Sequence, residues 1–124
     1  MKTARWIYLI AGVYGILVLI PGFFLEKLVA APPLTHPEFY YGFYGSALVW
    51  QLVFLAIARD PVKLRVLMPI TWLEKLAFFV PSLALHFTGR LPMSGPLIGG
   101  MIDGVLLLLF VFAWWSSRSA TAAR

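Results

Sequence analysis

Cysteine is absent from the 124-residue sequence, and charged residues make up only 12% of it. Without cysteine, disulfide bridges, a thiolate nucleophile, cysteine-ligated zinc or iron–sulfur centres and CxxC redox chemistry are all excluded. The HExxH, GxSxG, GxxxxGK and GxGxxG patterns are also missing, so no common catalytic or nucleotide-binding motif indicates an activity. The two histidines, His36 and His86, have no third ligand at a fixed spacing. We therefore predict neither a metal site nor a cofactor.

The scarcity of charge is matched by an excess of apolar residues. Hydrophobic residues account for 61% of the chain, whereas soluble domains contain about 45 to 50% apolar and about 25% charged residues. A soluble domain of this length has too little interior for so much apolar surface. The net charge of +5 comes from basic residues scattered between apolar stretches, not from the basic stripe that nucleic-acid binding requires. The composition predicts a single domain, residues 1–124, whose first partner is a lipid bilayer and which binds no nucleic acid.

Four apolar stretches are each long enough to cross about 30 Å of hydrocarbon as a helix. We predict spans at 6–25, 39–58, 67–87 and 97–115. The first stretch follows a basic lead and has the alternative of a signal peptide. The apolar core of a signal peptide usually has roughly 7 to 15 residues. The core of this stretch is longer, which favours a retained helix. The fold class is therefore all-α, a polytopic integral membrane protein built as an antiparallel four-helix transmembrane bundle.

Lysine and arginine are distributed unevenly around these spans. The two termini and the 59–65 turn share one side of the membrane, and the remaining loops share the other. The positive-inside rule then predicts both termini in the cytoplasm, and the even number of spans agrees. The residues on the cytoplasmic side are Lys2, Arg5, Arg59, Lys63, Arg65, Arg118 and Arg124, against Lys27 and Arg90 on the outer side.

Small residues recur in the spans at spacings that let helices approach closely. The strongest case is the Gly100–Gly104 pair in the fourth span, which flanks an aspartate. The predicted helix-packing residues are Gly12, Gly15, Gly42, Ser46, Gly100 and Gly104.

The third span carries two adjacent charged residues, Glu74 and Lys75. A charge at such depth costs roughly 2.5 to 3.5 kcal/mol on insertion scales, so it needs a partner, a cavity or a function. Neighbouring residues point about 100° apart on a helix, so we do not expect these two to face each other, and we expect the Lys75 amine to extend toward the cytoplasm. Glu74 has two interpretations. It is a structural carboxyl, protonated or bonded to Gln51 or to a basic side chain of the 59–65 turn, or it is a ligand contact or proton carrier in a cavity.

Asp103 is the only charged residue of the fourth span. The helix rise places it level with Ser82 and Tyr44 and about 10 Å in depth from Glu74, which weighs against a simple pair of catalytic carboxyls. A hydrogen bond to Tyr44 or His86 would satisfy it, and its glycine-rich face either packs on a helix or lines a hollow. The candidate ligand- or partner-binding residues are Tyr44, Gln51, Glu74, Lys75, Ser82, His86 and Asp103.

Four short motifs complete the pattern: PEFYYG at 37–42, RDP at 59–61, LEKL at 73–76 and DG at 103–104. Together with the four spans they resemble a group of small bacterial four-helix membrane proteins of the DoxX-like kind. The resemblance implies a four-helix bundle in the bacterial inner membrane, but no established activity and hence no catalytic residues. DoxX itself is linked with thiol and quinone redox systems, and the missing cysteines argue against a thiol role here.

The leading prediction is a non-enzymatic protein that binds a lipid, a quinone or another apolar small molecule, or a partner protein, between its helices. One alternative is a membrane-embedded enzyme that acts on a lipid or isoprenoid with Glu74 or Asp103 as general acid or base. Another is an accessory subunit of a larger membrane complex. Self-association into a homo-oligomer is a further partner class that the sequence leaves open.

Overall fold

The computed structural model describes residues 2–26 and 35–122, with side chains as far as residue 118. Within these ranges the chain is helical and has no strand. The helices are α1 (Lys2–Phe24), α2 (Pro37–Arg59), α3 (Met68–Phe87) and α4 (Gly95–Ala122), and a short 3-10 turn at Arg65–Leu67 leads into α3.

Four segments are long and apolar enough to cross a membrane: Lys2–Phe24, Pro37–Arg59, Arg65–Phe87 and Gly95–Arg118. Each has 23 or 24 residues, which at 1.5 Å per residue is about 35 Å of helix. Large apolar side chains on their outer faces are exposed, among them Leu17 and Leu108. The predicted all-helical class and the four apolar helices are confirmed.

Local sequence explains where several helices start and stop. Pro37 and Pro69 lie in the first turns of α2 and α3, where the missing amide hydrogen costs nothing. After α2, the Asp60 carboxylate accepts a hydrogen bond from the Lys63 amide at 3.1 Å, a side-chain-closed turn that favours a break in the helix. Gly89 has a φ of 80° after α3, and this left-handed conformation suits only glycine at low cost.

The helices pack in three pairs: α1 on α2, α3 on α4, and α1 on α4. The apolar core lies near the chain's basic turn, where the beginning of α1 meets the end of α2, the beginning of α3 and the second half of α4. Its largest members are Tyr8, Phe54, Met68 and Phe110. The core therefore closes one end of the molecule.

In the described ranges, α2 and α3 lack the extended backbone contact that the other three pairs make. They meet through side chains instead. The rings of Phe43 and Phe78 are 5.3 Å apart, and the Lys75 ammonium lies 5.0 Å from the centre of the Phe54 ring. We call these four residues the α2–α3 seam.

Candidate functional site: a buried ammonium between two carboxylates

Lys75 lies at the centre of the candidate site. Its Nζ is 3.3 Å from Oδ1 of Asp103 on α4 and 3.6 Å from Oε2 of the neighbouring Glu74. The Lys75 side chain is only 6% exposed, and the two carboxylate side chains are 16% and 19% exposed. We refer to Glu74, Lys75 and Asp103 as the charged triad.

The two carboxylates are not equivalent in this arrangement. Lys75 donates a hydrogen bond to Asp103, but the 3.6 Å contact with Glu74 is an ion pair that is too long for one. Oε2 of Glu74 is consequently buried without a hydrogen-bond partner. Such an atom is costly to keep charged, because burial removes water and no hydrogen bond replaces it.

The position of Asp103 follows from the glycines beside it. A Cβ at Gly100 would lie 2.6 Å from Cβ of Ser82, and one at Gly104 would lie 2.5 Å from the Phe79 ring. Only glycine allows α3 and α4 to approach this closely. The contact turns the intervening Asp103 toward α3, where Lys75 meets it.

Two aromatic rings lie beside the ammonium. Phe54 lies 5.0 Å and Phe110 6.0 Å from Nζ, measured to the ring centres. Aromatic faces attract cations at these distances. The two rings meet each other edge to face at 5.1 Å, and Tyr8 stacks on Phe110 at 4.3 Å. The ammonium is therefore contacted from α2 and α4, and α1 packs behind the two rings through Tyr8.

A chain of neutral hydrogen bonds includes Thr71, which lies one helical turn before Lys75 on α3. The Thr71 hydroxyl is 2.6 Å from the carbonyl of Met68 and donates to it. Its single proton is thereby used, so the Tyr8 hydroxyl, 2.8 Å away, is the donor in the Tyr8–Thr71 bond. This chain links α1 to α3 inside the core.

Three expectations about the charged residues are wrong. Lys75 does not extend to the cytoplasmic end but is buried, and it contacts the adjacent Glu74 because its long flexible stem can curl back. Asp103 is not isolated from the charged residues of α3, since the Lys75 side chain reaches it across the difference in depth that the helix rise predicts. His86 is not its partner either, because His86 Nδ1 donates to the Leu91 carbonyl at 2.9 Å.

Gln51 also differs from expectation, because it does not bond Glu74. It is 2% exposed, and its Nε2 donates to the Ala47 carbonyl at 2.8 Å. Its Oε1 is buried without a partner and rests against Gly15, where a Cβ would overlap it. Gln51 thus belongs to the α1–α2 contact, where Gly12 similarly lies against Leu55.

The remaining candidates lie away from the triad. Tyr44 packs against Gly22 and is 4.6 Å from the Tyr40 ring, whose hydroxyl donates to the Gly22 carbonyl at 2.5 Å. Ser82 donates to the Phe78 carbonyl at 2.7 Å.

Gly42 and Ser46 face outward. A Cβ at Gly42 would meet nothing within 4 Å, and Ser46 is exposed. Neither residue packs on another described helix.

Sequence reasoning missed the Phe54 and Phe110 rings beside the ammonium and the Tyr8–Thr71 hydrogen bond next to them. Helical spacing contained part of the signal, since Thr71 precedes Lys75 by four residues and Phe54 follows Gln51 by three. It also missed Arg65, whose guanidinium stacks 4.1 Å above Trp114 and donates to the Trp114 carbonyl and the Ser117 hydroxyl.

Two further observations complete the description of the site. Across residues 2–26 and 35–122, no group of three histidine, aspartate or glutamate side chains is placed to hold a metal ion. Comparison of the chain with protein-family models, with curated proteins and with solved structures finds no match. The DoxX-like resemblance accordingly stays a prediction.

Proposed function

We propose that this chain is a bacterial inner-membrane protein that binds an apolar molecule with a hydrogen-bonding head, such as a quinone or another lipid, at the α2–α3 seam. One observation carries the proposal: α2 and α3 meet through aromatic side chains around a buried ammonium, while the other packed pairs also bring their backbones close together. Side-chain contacts between helices are easier to exchange for a ligand than glycine-mediated ones. Lys75 supplies a donor for the head, and the rings supply apolar surface for the rest.

The proposed architecture is an antiparallel bundle with both termini in the cytoplasm. The order of contacts supports the antiparallel arrangement, and the distribution of basic residues supports the orientation. Along α1, Gly12, Gly15 and Gly22 lie against Leu55, Gln51 and Tyr44, in that order. Along α4, Gly100, Gly104 and Trp114 lie against Ser82, Phe79 and Trp72. In both pairs the numbers rise on one helix as they fall on the other.

Native mass spectrometry of the gently solubilised protein tests the binding proposal. We expect wild type to retain a small apolar molecule, and Phe78→Ala and Asp103→Asn to lose most of it. Phe87→Ala is the matched control, because Phe87 lies on the same helix but is 80% exposed, and this variant should retain the ligand. A bare wild-type protein, or equal retention in all four proteins, would contradict the proposal.

A second candidate is a membrane enzyme that moves a proton on an isoprenoid or other lipid. This candidate is favoured because both carboxylates contact the same ammonium, whereas the helix rise predicted that they would lie apart. Two carboxyls at one site can act as acid and base. The test is incubation with a bacterial lipid extract in deuterated water. We expect wild type to incorporate deuterium into a lipid and Glu74→Gln not to do so. Equal deuterium in both would exclude this role for Glu74.

The role of an accessory subunit makes a different prediction. A subunit of a larger complex would be recovered with partner proteins in fixed stoichiometry after mild cross-linking, whereas a self-sufficient binding protein would be recovered as one chain or as a homo-oligomer. The same purified samples decide between these outcomes.

A further inference from the structure

The charged triad has two acidic groups and one basic group. If all three were ionised, one negative charge would be left over. The groups that face the triad cannot cancel it. From α1 come Tyr14, within electrostatic range of Asp103, and Tyr8, which contacts the two rings beside the ammonium, Phe54 and Phe110. From α2 comes the uncharged Phe54. No second cation contacts Glu74 or Asp103 in the described part of the chain.

The triad is also far from either end of its helices. Glu74 and Lys75 are the tenth and eleventh of the 23 residues of Arg65–Phe87, and Asp103 is the ninth of the 24 residues of Gly95–Arg118. At 1.5 Å per residue, each lies about 12 Å or more from the nearest end. In a bilayer that depth is hydrocarbon, which does not solvate an uncompensated charge.

The hydrogen bonds indicate which carboxyl is neutral. Asp103 accepts a hydrogen bond from Lys75 and forms the shorter ion pair. Glu74 Oε2 lies farther from the ammonium and is buried without a hydrogen bond. An ionised Asp103 is therefore stabilised by both a hydrogen bond and an ion pair, whereas an ionised Glu74 has only the longer ion pair.

We propose that the triad is a binding site for one exchangeable proton, which resides on Glu74 while Lys75 and Asp103 form the ion pair. The site is then neutral, with one ammonium, one carboxylate and one carboxylic acid. This inference rests on the membrane placement proposed above but not on any apolar ligand. Its consequence is an acidic hydrogen held beside the α2–α3 seam, available to a molecule bound there.

Infrared spectroscopy of the protein in lipid membranes tests the proposal, because a carboxylic acid has a carbonyl stretch that a carboxylate lacks. At neutral pH we expect wild type to show one such band from the protein. Labelling all glutamates with carboxyl ¹³C should shift the band, and labelling the aspartates should not. A band that shifts with aspartate instead would overturn the assignment to Glu74.

Charge counting predicts the infrared result for each variant. Glu74→Gln should abolish the band, since Lys75 and Asp103 remain as a neutral pair. Asp103→Asn should also abolish it, because Glu74 must then ionise to pair with Lys75. Lys75→Met should double the band, since two acids remain without a cation. Glu38→Gln is the control and should leave the band unchanged, because Glu38 is 64% exposed at the start of α2.

The proposal is overturned if wild type shows no band, or if Asp103→Asn keeps it at full intensity. Helix content and monodispersity identify a variant that has not folded, and should Lys75→Met fail in this way, the two carboxyl variants still decide. Failure of the ligand proposal looks different: the protein would purify without an apolar molecule while the infrared band is present.

Discussion

At the scale of single residues, the Tyr8–Thr71 hydrogen bond joins two helices inside the core, and both hydroxyls are fully buried. We expect Tyr8→Phe to lower the free energy of unfolding by about 0.6 to 1 kcal/mol, the range measured for hydrogen bonds between membrane helices and in proteins generally. The loss is small because the Thr71 hydroxyl keeps its bond to the Met68 carbonyl.

Tyr8→Ala should cost more, about 3 to 5 kcal/mol, because it also removes the ring that stacks on Phe110. Unfolding in mixed micelles, followed by helical circular dichroism, measures both variants. If Tyr8→Phe and Tyr8→Ala were equally destabilised, the ring would contribute nothing and the described core would be wrong.

The charged residues of the spans could be singled out from the sequence, but their neighbours in the structure could not. Glu74, Lys75 and Asp103 are conspicuous because ionisable residues are rare in apolar spans. Their pairing was not accessible, because it depends on the exact approach of α3 to α4 and on the curl of one flexible lysine. Phe110 carries no signal in a chain where phenylalanine occurs in every span, and Phe54 is marked only by its helical spacing from Gln51.

At the scale of helices, glycines on different faces should respond oppositely to the same substitution. A Cβ at Gly100 would press on Cβ of Ser82, an atom fixed to its backbone, so α3 and α4 must separate. We expect Gly100→Ala to destabilise the protein by about 1 to 3 kcal/mol, as overpacking does. Gly42→Ala meets open space and should be neutral or stabilising by up to about 1 kcal/mol, since alanine is the better helix former.

The same unfolding titration compares the two alanine variants with wild type. Equal effects would show that Gly100 does not lie at a helix contact. A large loss in Gly42→Ala would instead indicate that the outward face of α2 is covered, as it would be in a homo-oligomer.

Helix number and type were predictable, because four long apolar runs leave few alternatives in lipid. The ends of the helices were less predictable. The fourth helix was expected to end at residue 115 but continues to Ala122, since the polar residues that follow include no proline or glycine to stop it. The position of Asp103 relative to α3 could not be obtained from helix rise alone, because the rise gives a depth but not the register between two helices.

At the scale of the whole molecule, the basic residues predict which ends face the cytoplasm. The cysteine-free chain allows a clean test with one introduced thiol at a time. In intact bacteria, a membrane-impermeant maleimide should label Arg90→Cys, in the loop after α3, and should label Lys63→Cys only after the cells are opened. Both residues are exposed, so burial does not prevent labelling. The reverse pattern would invert the proposed topology.

The division of the charged triad between two helices has a consequence for how the protein is made. The ribosome delivers α3, with Glu74 and Lys75, before it has synthesised Asp103 on α4. Until the fourth helix arrives, the ammonium of the third has only its own neighbour as a counter-ion, and the hydrogen bond that anchors it does not exist. On the membrane placement proposed above, we therefore expect stable insertion of the third helix to depend on the helix that follows it, with the α3–α4 hairpin as the unit that inserts.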